Sequence, residues 1–167
     1  MIKNDDIFLT NIRQEDKGFY CEIYTNSQLM KFVVDPLNLE SANKSFTAVL
    51  IKMSAVPKKL ILFIIKSTKN LEKQGVIGLR WNQNDPHAVE IGIIILERYQ
   101  RQGVGHQAKT LLINHAFNIL GVTKIIAVCC SENTAANCAN KKLGFKHVDE
   151  AISRNSNEIK IIWEKTK

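Results

Sequence analysis

The stretch "IIILERYQRQGVGHQA", Ile93 to Ala108, runs from four apolar residues through six polar ones into Gly-x-Gly. Beyond it Val104, Ala108, Leu111, Leu112, Ala116 and Ile119 recur at helical spacing, and Gly121 is placed to stop the helix. A strand therefore passes through a polar turn into a helix. At such a junction a glycine pair leaves backbone N–H groups unobstructed, and the helix dipole adds positive potential, which suits a phosphate. Gly-x-Gly also serves in tight turns that hold nothing, so the flanking pattern has to decide.

Upstream, "IFLTNI" (Ile7–Ile12) alternates as a first strand. Helices are expected around Asp16–Tyr24 and over Leu39–Met53, the latter with Ser41 as its cap. Three strand-like runs follow, Lys59–Lys66, Gly75–Trp81 and Val89–Leu96, joined by the short polar links "STKNLEKQ" and "NQNDPHA", which suit antiparallel hairpins. Downstream of the long helix, "TKIIAVCC" (Thr123–Cys130) is a buried strand reached by a helical crossover, hence parallel to the strand before it. "ENTAANCANKKLGF" predicts a short helix ending at Gly144, and "HVDEAI" and "EIKIIWEK" close the chain as two strands.

With 167 residues, 45% of them apolar and 23% charged, and no repeat or linker, the chain fits one globular domain over residues 1–167. The N-terminus "MIKNDDIF" lacks a signal-peptide core, and runs such as "LILFII" (Leu60–Ile65) are too short to cross a bilayer, so a cytoplasmic protein with no membrane partner is expected. The cysteines at 21, 129, 130 and 138 form no Cys-x-x-Cys pair; they read as buried thiols, with no metal site. A formal charge of +7 favours anionic partners. The basic residues are dispersed and not interleaved with aromatics, which argues against direct nucleic-acid binding.

Two phosphate-binding patterns fail against the turn. No Gly-x-x-x-x-Gly-Lys-Ser/Thr string exists. The dinucleotide fingerprint is formally matched by Gly103, Gly105 and Ala108, with Glu132 ending the next strand. Yet Glu97–Gln102 separates the strand from the first glycine, and the about 60 residues that remain are too few for a doubly wound sheet.

The wider pattern decides. "AVEIGIIILERYQRQGVG", then "ENTAAN" (Glu132–Asn137) and "KKLGF" (Lys141–Phe145), resembles the GNAT family of N-acetyltransferases, and is most similar to the branch that acetylates ribosomal-protein N-termini. The resemblance is good over Leu60–Phe145 and rests on element order before that. It implies an α/β acyl-CoA N-acyltransferase fold: a mixed sheet of about seven strands, two of them splayed and parallel, flanked by about four helices. It also implies acetyl-CoA as co-substrate, an amine acceptor, and a monomer or homodimer.

By the same resemblance the pantetheine arm pairs with the backbone of Ile93, Ile94, Ile95 and Leu96, in the manner of an added strand. The pyrophosphate takes N–H bonds from Arg101, Gln102, Gly103, Val104, Gly105 and His106. Glu90, in the "EIG" motif, is the expected general base, acting through water; the plainer reading is an exposed strand glutamate. Asn133 matches an asparagine that contacts cofactor or substrate, and equally suits a helix cap. Asn140 stands beside the cofactor where many relatives carry tyrosine, and Ala136 stands where the ribosomal branch often carries serine. The proton for the CoA thiolate is then left to water, the substrate ammonium, Ser131, Cys138 or Tyr99. Trp81 and Phe32 are candidates for the acceptor cleft or for plain core packing. An acetyl-cysteine route through Cys129, Cys130 or Cys138 ranks lower, because no histidine partners them.

The acceptor stays open between a peptide or protein N-terminal α-amine, which the positive charge and the α-amine pKa of about 8 favour, and another small amine. A sensor that binds acyl-CoA without turnover is the remaining alternative.

Overall fold

The computed structural model describes residues 2–153 and 158–167. Its strands are β1 (Ile2–Lys3), β2 (Ile7–Asn11), β3 (Leu60–Ser67), β4 (Lys73–Trp81), β5 (Ala88–Ile95), β6 (Lys124–Cys130), β7 (Lys146–Ile152) and β8 (Ile159–Thr166). The helices are α1 (Lys17–Thr25), α2 (Ser27–Met30), α3 (Leu39–Ser54), α4 (Val104–Asn118) and α5 (Thr134–Lys142). All eight strands join one sheet in the order β1-β2-β3-β4-β5-β6-β8-β7. Every pairing is antiparallel except β5 with β6. This is the mixed α/β sheet that the hairpin links and the crossover helix dictate.

The sheet has eight strands and not seven because the two residues of β1 pair back onto β2, Ile2 facing Leu9. The fifth helix, α2, is a single turn set off by Asn26, whose side chain accepts the N–H groups of Gln28 and Leu29. Ser41 is not the cap of α3. Asn38 is, accepting the Ser41 N–H at 2.8 Å, so the cap stands three residues before the serine and Ser41 lies inside the first turn.

Period-two alternation divides the core into two layers. Ile61, Phe63, Ile65, Ile77 and Leu79 face α4, whose buried stripe includes Ala108, Leu112, Ile113 and Ala116. Leu62, Ile64, Val76 and Ile94 face α1 to α3, where Tyr20, Ile23 and Phe46 fill the layer. The edge strand β7 is exposed along its length; its register shift between His147 and Asp149, and its charged residues, suit an edge that must not recruit another strand. Among the described residues no helix is long and apolar enough to cross a membrane.

Strand β4 approaches its neighbours closely at two glycines. A Cβ at Gly75 would run into the carbonyl oxygen of Ile94, and one at Gly78 would lie 2.6 Å from that of Ile61. Both obstacles are backbone, which no rotamer change relieves. Gly75→Ala is therefore expected to lower stability by about 1–3 kcal/mol, read as a reduced urea midpoint at unchanged slope.

Candidate active site

β5 and β6 pair only at Ala88 with Lys124, Val89 with Ile125 and Glu90 with Ile126. Past Glu90 they part, although β5 keeps its ladder with β4 to Ile95, and β6 keeps its ladder with β8 to Cys130. The opening is thus confined to one seam. The Leu96 N–H bonds the Gln74 carbonyl at 3.0 Å, so alternation aims the backbone groups of Ile94 and Leu96 at β4 and those of Ile93 and Ile95 at the gap. The Ile95 carbonyl already accepts Gln100 Nε2 at 2.9 Å.

A cavity of about 360 Å³ fills the gap and is lined from both faces of the sheet. On the face toward α1 and α2, Val76, Gly78 and Arg80 lie beside Glu90, Gly92 and Ile94, with Tyr24, Phe32 and Val33 above. Gly78 stands directly opposite Gly92, so this face carries no side chain at its centre. A Cβ at Gly92 would meet nothing within 4 Å. Its absence leaves open space and relieves no crowding.

The cavity is rich in charge. Glu90 Oε2 accepts Arg80 Nη2 at 2.6 Å across the β4–β5 ladder. Lys160 pairs with Glu158 at 2.8 Å. Lys109, from α4, is only 5% exposed; its Nζ donates to Asn140 Oδ1 at 2.6 Å, while Asn140 Nδ2 lies 3.2 Å from Cys129 Sγ. Burial disfavours the ammonium of Lys109 and lowers its pKa, the nearby Cys129 opposing. Burial likewise raises the pKa of the Cys129 thiol, the positive Lys109 opposing.

At the head of α4 the chain turns on two left-handed residues, Arg101 at φ 58° and Gly103 at φ 82°. Helices α2, α3 and α5 start on asparagine side chains, whereas α4 starts on Gly103 with no side-chain cap. Its first helical bond is from the Gln107 N–H to the Gly103 carbonyl, so the N–H groups of Val104, Gly105 and His106 have no helical acceptor. This turn lies against β5, where an added Cβ at Gly105 would make ordinary contact with Ile95 Cγ1 at 3.7 Å. The preceding loop is fastened by the Tyr99 hydroxyl donating to Glu72 at 2.7 Å and by Gln102 Nε2 donating to the Arg98 carbonyl at 2.7 Å.

The structure thus brings Glu90, Ile93, Ile94 and Asn133 together around one cavity, and collects Arg101, Gln102, Gly103, Val104, Gly105 and His106 at the uncapped end of α4. Asn133 does cap α5, accepting the Ala136 N–H at 3.1 Å, while also lining the cavity. Asn140 is fully buried behind the lining, its side chain engaged by Lys109 and Cys129. Phe32 lines the cavity and Trp81 does not. None of Ser131, Cys138 and Tyr99 reaches it. Cys21 and Cys130 are buried as expected, but Cys129 is half-buried at the cavity and Cys138 is exposed, because α5 turns that side to solvent. Sequence reading missed Arg80, Gly78, Gly92 and Lys109. Only Lys109 left a signal, a charge within the apolar stripe of α4. No group of His, Cys, Asp and Glu side chains suited to a metal is found among the described residues.

The acetyltransferase (GNAT) domain family matches residues 6–146. The uncharacterized N-acetyltransferase YoaA of Bacillus subtilis is 22% identical over 147 residues, covering 87% of this chain and 82% of that protein. Among solved structures, the spermidine N-acetyltransferase of Vibrio cholerae, in complex with CoA and spermine, superposes with a TM-score of 0.84 at 16% identity, over 98% of this chain and 96% of the other. The ribosomal L7/L12 α-N-protein acetyltransferase RimL, in complex with CoA, gives 0.84 at 14% identity, over 98% and 95%.

The turn before α4 should respond to substitution according to its backbone. Gly103→Ala is expected to lower stability by about 1–2 kcal/mol, since an L side chain is strained at positive φ. Arg101→Gly is expected to stay within about 0.5 kcal/mol of the parent, relief of the same strain offsetting the added chain entropy. Thermal unfolding of both variants checks the pair.

Proposed function

The chain belongs to the acetyltransferase (GNAT) domain family, and from that premise we propose that it transfers the acetyl group of acetyl-CoA to the N-terminal α-amine of a peptide or protein. The seam fits such a co-substrate. The gap-facing backbone of Ile93 and Ile95 suits an extended amide-bearing arm, and Asn133 lies alongside it. The free N–H groups of Val104, Gly105 and His106, with the turn Arg101–Gly103 before them, suit its pyrophosphate. Acetyl-CoA supplies an activated thioester. A backbone N–H of β5 polarises the carbonyl, a preorganised donor of the oxyanion-hole type. Glu90 takes the acceptor's proton through water, using the oxygen that Arg80 leaves free or both when the pair opens.

The observation that carries the choice of acceptor is the charge of the cavity. Among the described residues Arg80, Lys109 and Lys160 line it, against one lining carboxylate, that of Glu90, with Glu158 behind Lys160. Such a lining repels a polyamine, whose remaining ammonium groups would need several acidic partners, and admits an amine that brings one charge. An α-amine, with a pKa near 7.7–8.0 against about 10.4 for lysine, also gives up its proton more readily. The bare Gly78–Gly92 floor leaves room for a main chain to enter. The protein is further read as one domain, monomeric or homodimeric, working in the cytoplasm, where the four free thiols of the described residues stay reduced.

Calorimetry with acetyl-CoA, followed by release of free CoA thiol against peptide N-termini, spermidine and aminoglycosides, tests this reading. Binding with release for peptides is expected. Binding without release for any amine would replace the transferase with a sensor. Glu90→Gln should lower kcat by about 100-fold while leaving acetyl-CoA affinity within about twofold. Gly92→Leu should raise the acceptor KM and leave the unfolding temperature nearly unchanged.

A further inference from the structure

Of the three cations that line the cavity, Arg80 meets Glu90 and Lys160 meets Glu158. Lys109 meets a neutral amide, that of Asn140, and among the described residues no carboxylate lies within ion-pair distance of it. A buried ammonium without a counter-ion is a standing electrostatic penalty, which is relieved when negative charge arrives beside it. Lys109 also lies on the far side of the seam from Glu90. It rises from α4, whereas alternation along β5 puts Glu90 on the face of α1 to α3 with Ile94.

We propose that Lys109 is the group that meets the departing CoA thiolate, its Nζ giving a proton to the sulfur as the thioester C–S bond breaks. This rests on the reading of the cavity as an acetyl-CoA site. The acceptor nitrogen forms the new bond to the carbonyl carbon, and the electron pair of the C–S bond leaves on sulfur. The proton from Lys109 turns thiolate into thiol and leaves Lys109 a neutral amine. The proton removed from the acceptor nitrogen passes by way of Glu90 to solvent, and Lys109 regains one from solvent before the next turnover, so the proton count closes.

Asn140 is the positioning residue of this arrangement. Its carbonyl oxygen holds Nζ at 2.6 Å and its amide rests on Cys129 Sγ at 3.2 Å. Helix α5 presents Ala136 to the cavity and no hydroxyl; the only lining hydroxyl among the described residues is that of Tyr24, on the side of Glu90. The titratable groups that face Lys109 are few. From β6 comes Cys129, which burial keeps as a thiol; α5 offers only the amide of Asn140. Across the cavity stand Glu90, held by Arg80 of β4, and Lys160 of β8, held by Glu158. Burial lowers the pKa of Lys109, which makes the ammonium a readier donor.

Lys109→Met tests the assignment, with wild type alongside. It removes a buried charge and keeps the volume but leaves Asn140 Oδ1 without its donor, so the variant should stay folded, with an unfolding temperature near that of wild type, and bind acetyl-CoA within about threefold. Its kcat should fall by about 100-fold or more. A donor must be protonated, so wild-type kcat should decline as pH rises through the lowered pKa of Lys109, and the variant should lack that decline. In an assay that needs no turnover, the thiol of bound CoA, followed by its ultraviolet thiolate absorbance, should ionise at lower pH in wild type than in the variant.

A variant with kcat within about threefold of wild type, the same alkaline limb and the same thiol titration would overturn the proposal. A loss confined to acetyl-CoA affinity would overturn it too, making Lys109 a cofactor-holding charge. Failure of wild type to bind acetyl-CoA is a separate result. It would remove the reading of the cavity and the proposal with it.

Discussion

Three residue pairs hold the two parts of the sheet together. From Ala88–Lys124 to Glu90–Ile126 the strands β5 and β6 run as parallel neighbours, and past that point each is committed to its outer partner. A central strand without a neighbour leaves backbone donors and acceptors facing a gap, and such groups need partners from somewhere. The site follows from that need. The gap is long enough for an extended chain, one wall is the backbone of β5, and the uncapped start of α4 stands where β5 leads, Val104 following the last rung at Ile95 through the short turn at Glu97–Tyr99.

The same seam sorts charge. A split sheet has two faces that meet only through the opening, and here the faces carry different chemistry. Glu90 and Arg80 sit on the side of α1 to α3, while Lys109 and Cys129 sit on the side of α4. A carboxylate and an ammonium on the same side would pair and neutralise each other. Kept apart by the sheet, the carboxylate is held by an exposed arginine and the ammonium by an amide, so both remain available to whatever lies between them. The glycine pair at 78 and 92 completes the division by keeping the face of α1 to α3 low where the gap opens.

Much of this is legible in the sequence. The polar links of hairpin length between β3, β4 and β5, and the long amphipathic segment before β6, leave only one place for a parallel pair, and the "EIG" and Gly-x-Gly motifs flank it. What escaped notice did so for physical reasons. Two residues of β1 and one turn of α2 are too short to show a period, so they emerge only from pairing and capping. Asn38 and Ser41 are both good caps, and only the backbone tells which of them stands outside the helix. Gly78 and Gly92 are ten and more residues apart, and their opposition depends on the register of the hairpin. Lys109 sits on the apolar stripe of α4, but a lysine there ordinarily extends its stem and keeps its charge in water; that this one stays inside depends on Asn140, which lies 31 residues away.

The Arg80–Glu90 contact has a temporal consequence. The pair is a cross-strand rung at the mouth of the cavity, with side chains 68% and 37% exposed. Exposed pairs of this kind are worth about 0.2–1 kcal/mol, so at about 0.5 kcal/mol the two groups are apart roughly 30% of the time. Exposed side chains exchange rotamers in picoseconds to nanoseconds, far faster than any catalytic cycle. The clasp on Glu90 therefore opens and closes without any lid, hinge or effector, and in the proposed reaction the fraction of time it stands open would be a factor in the rate.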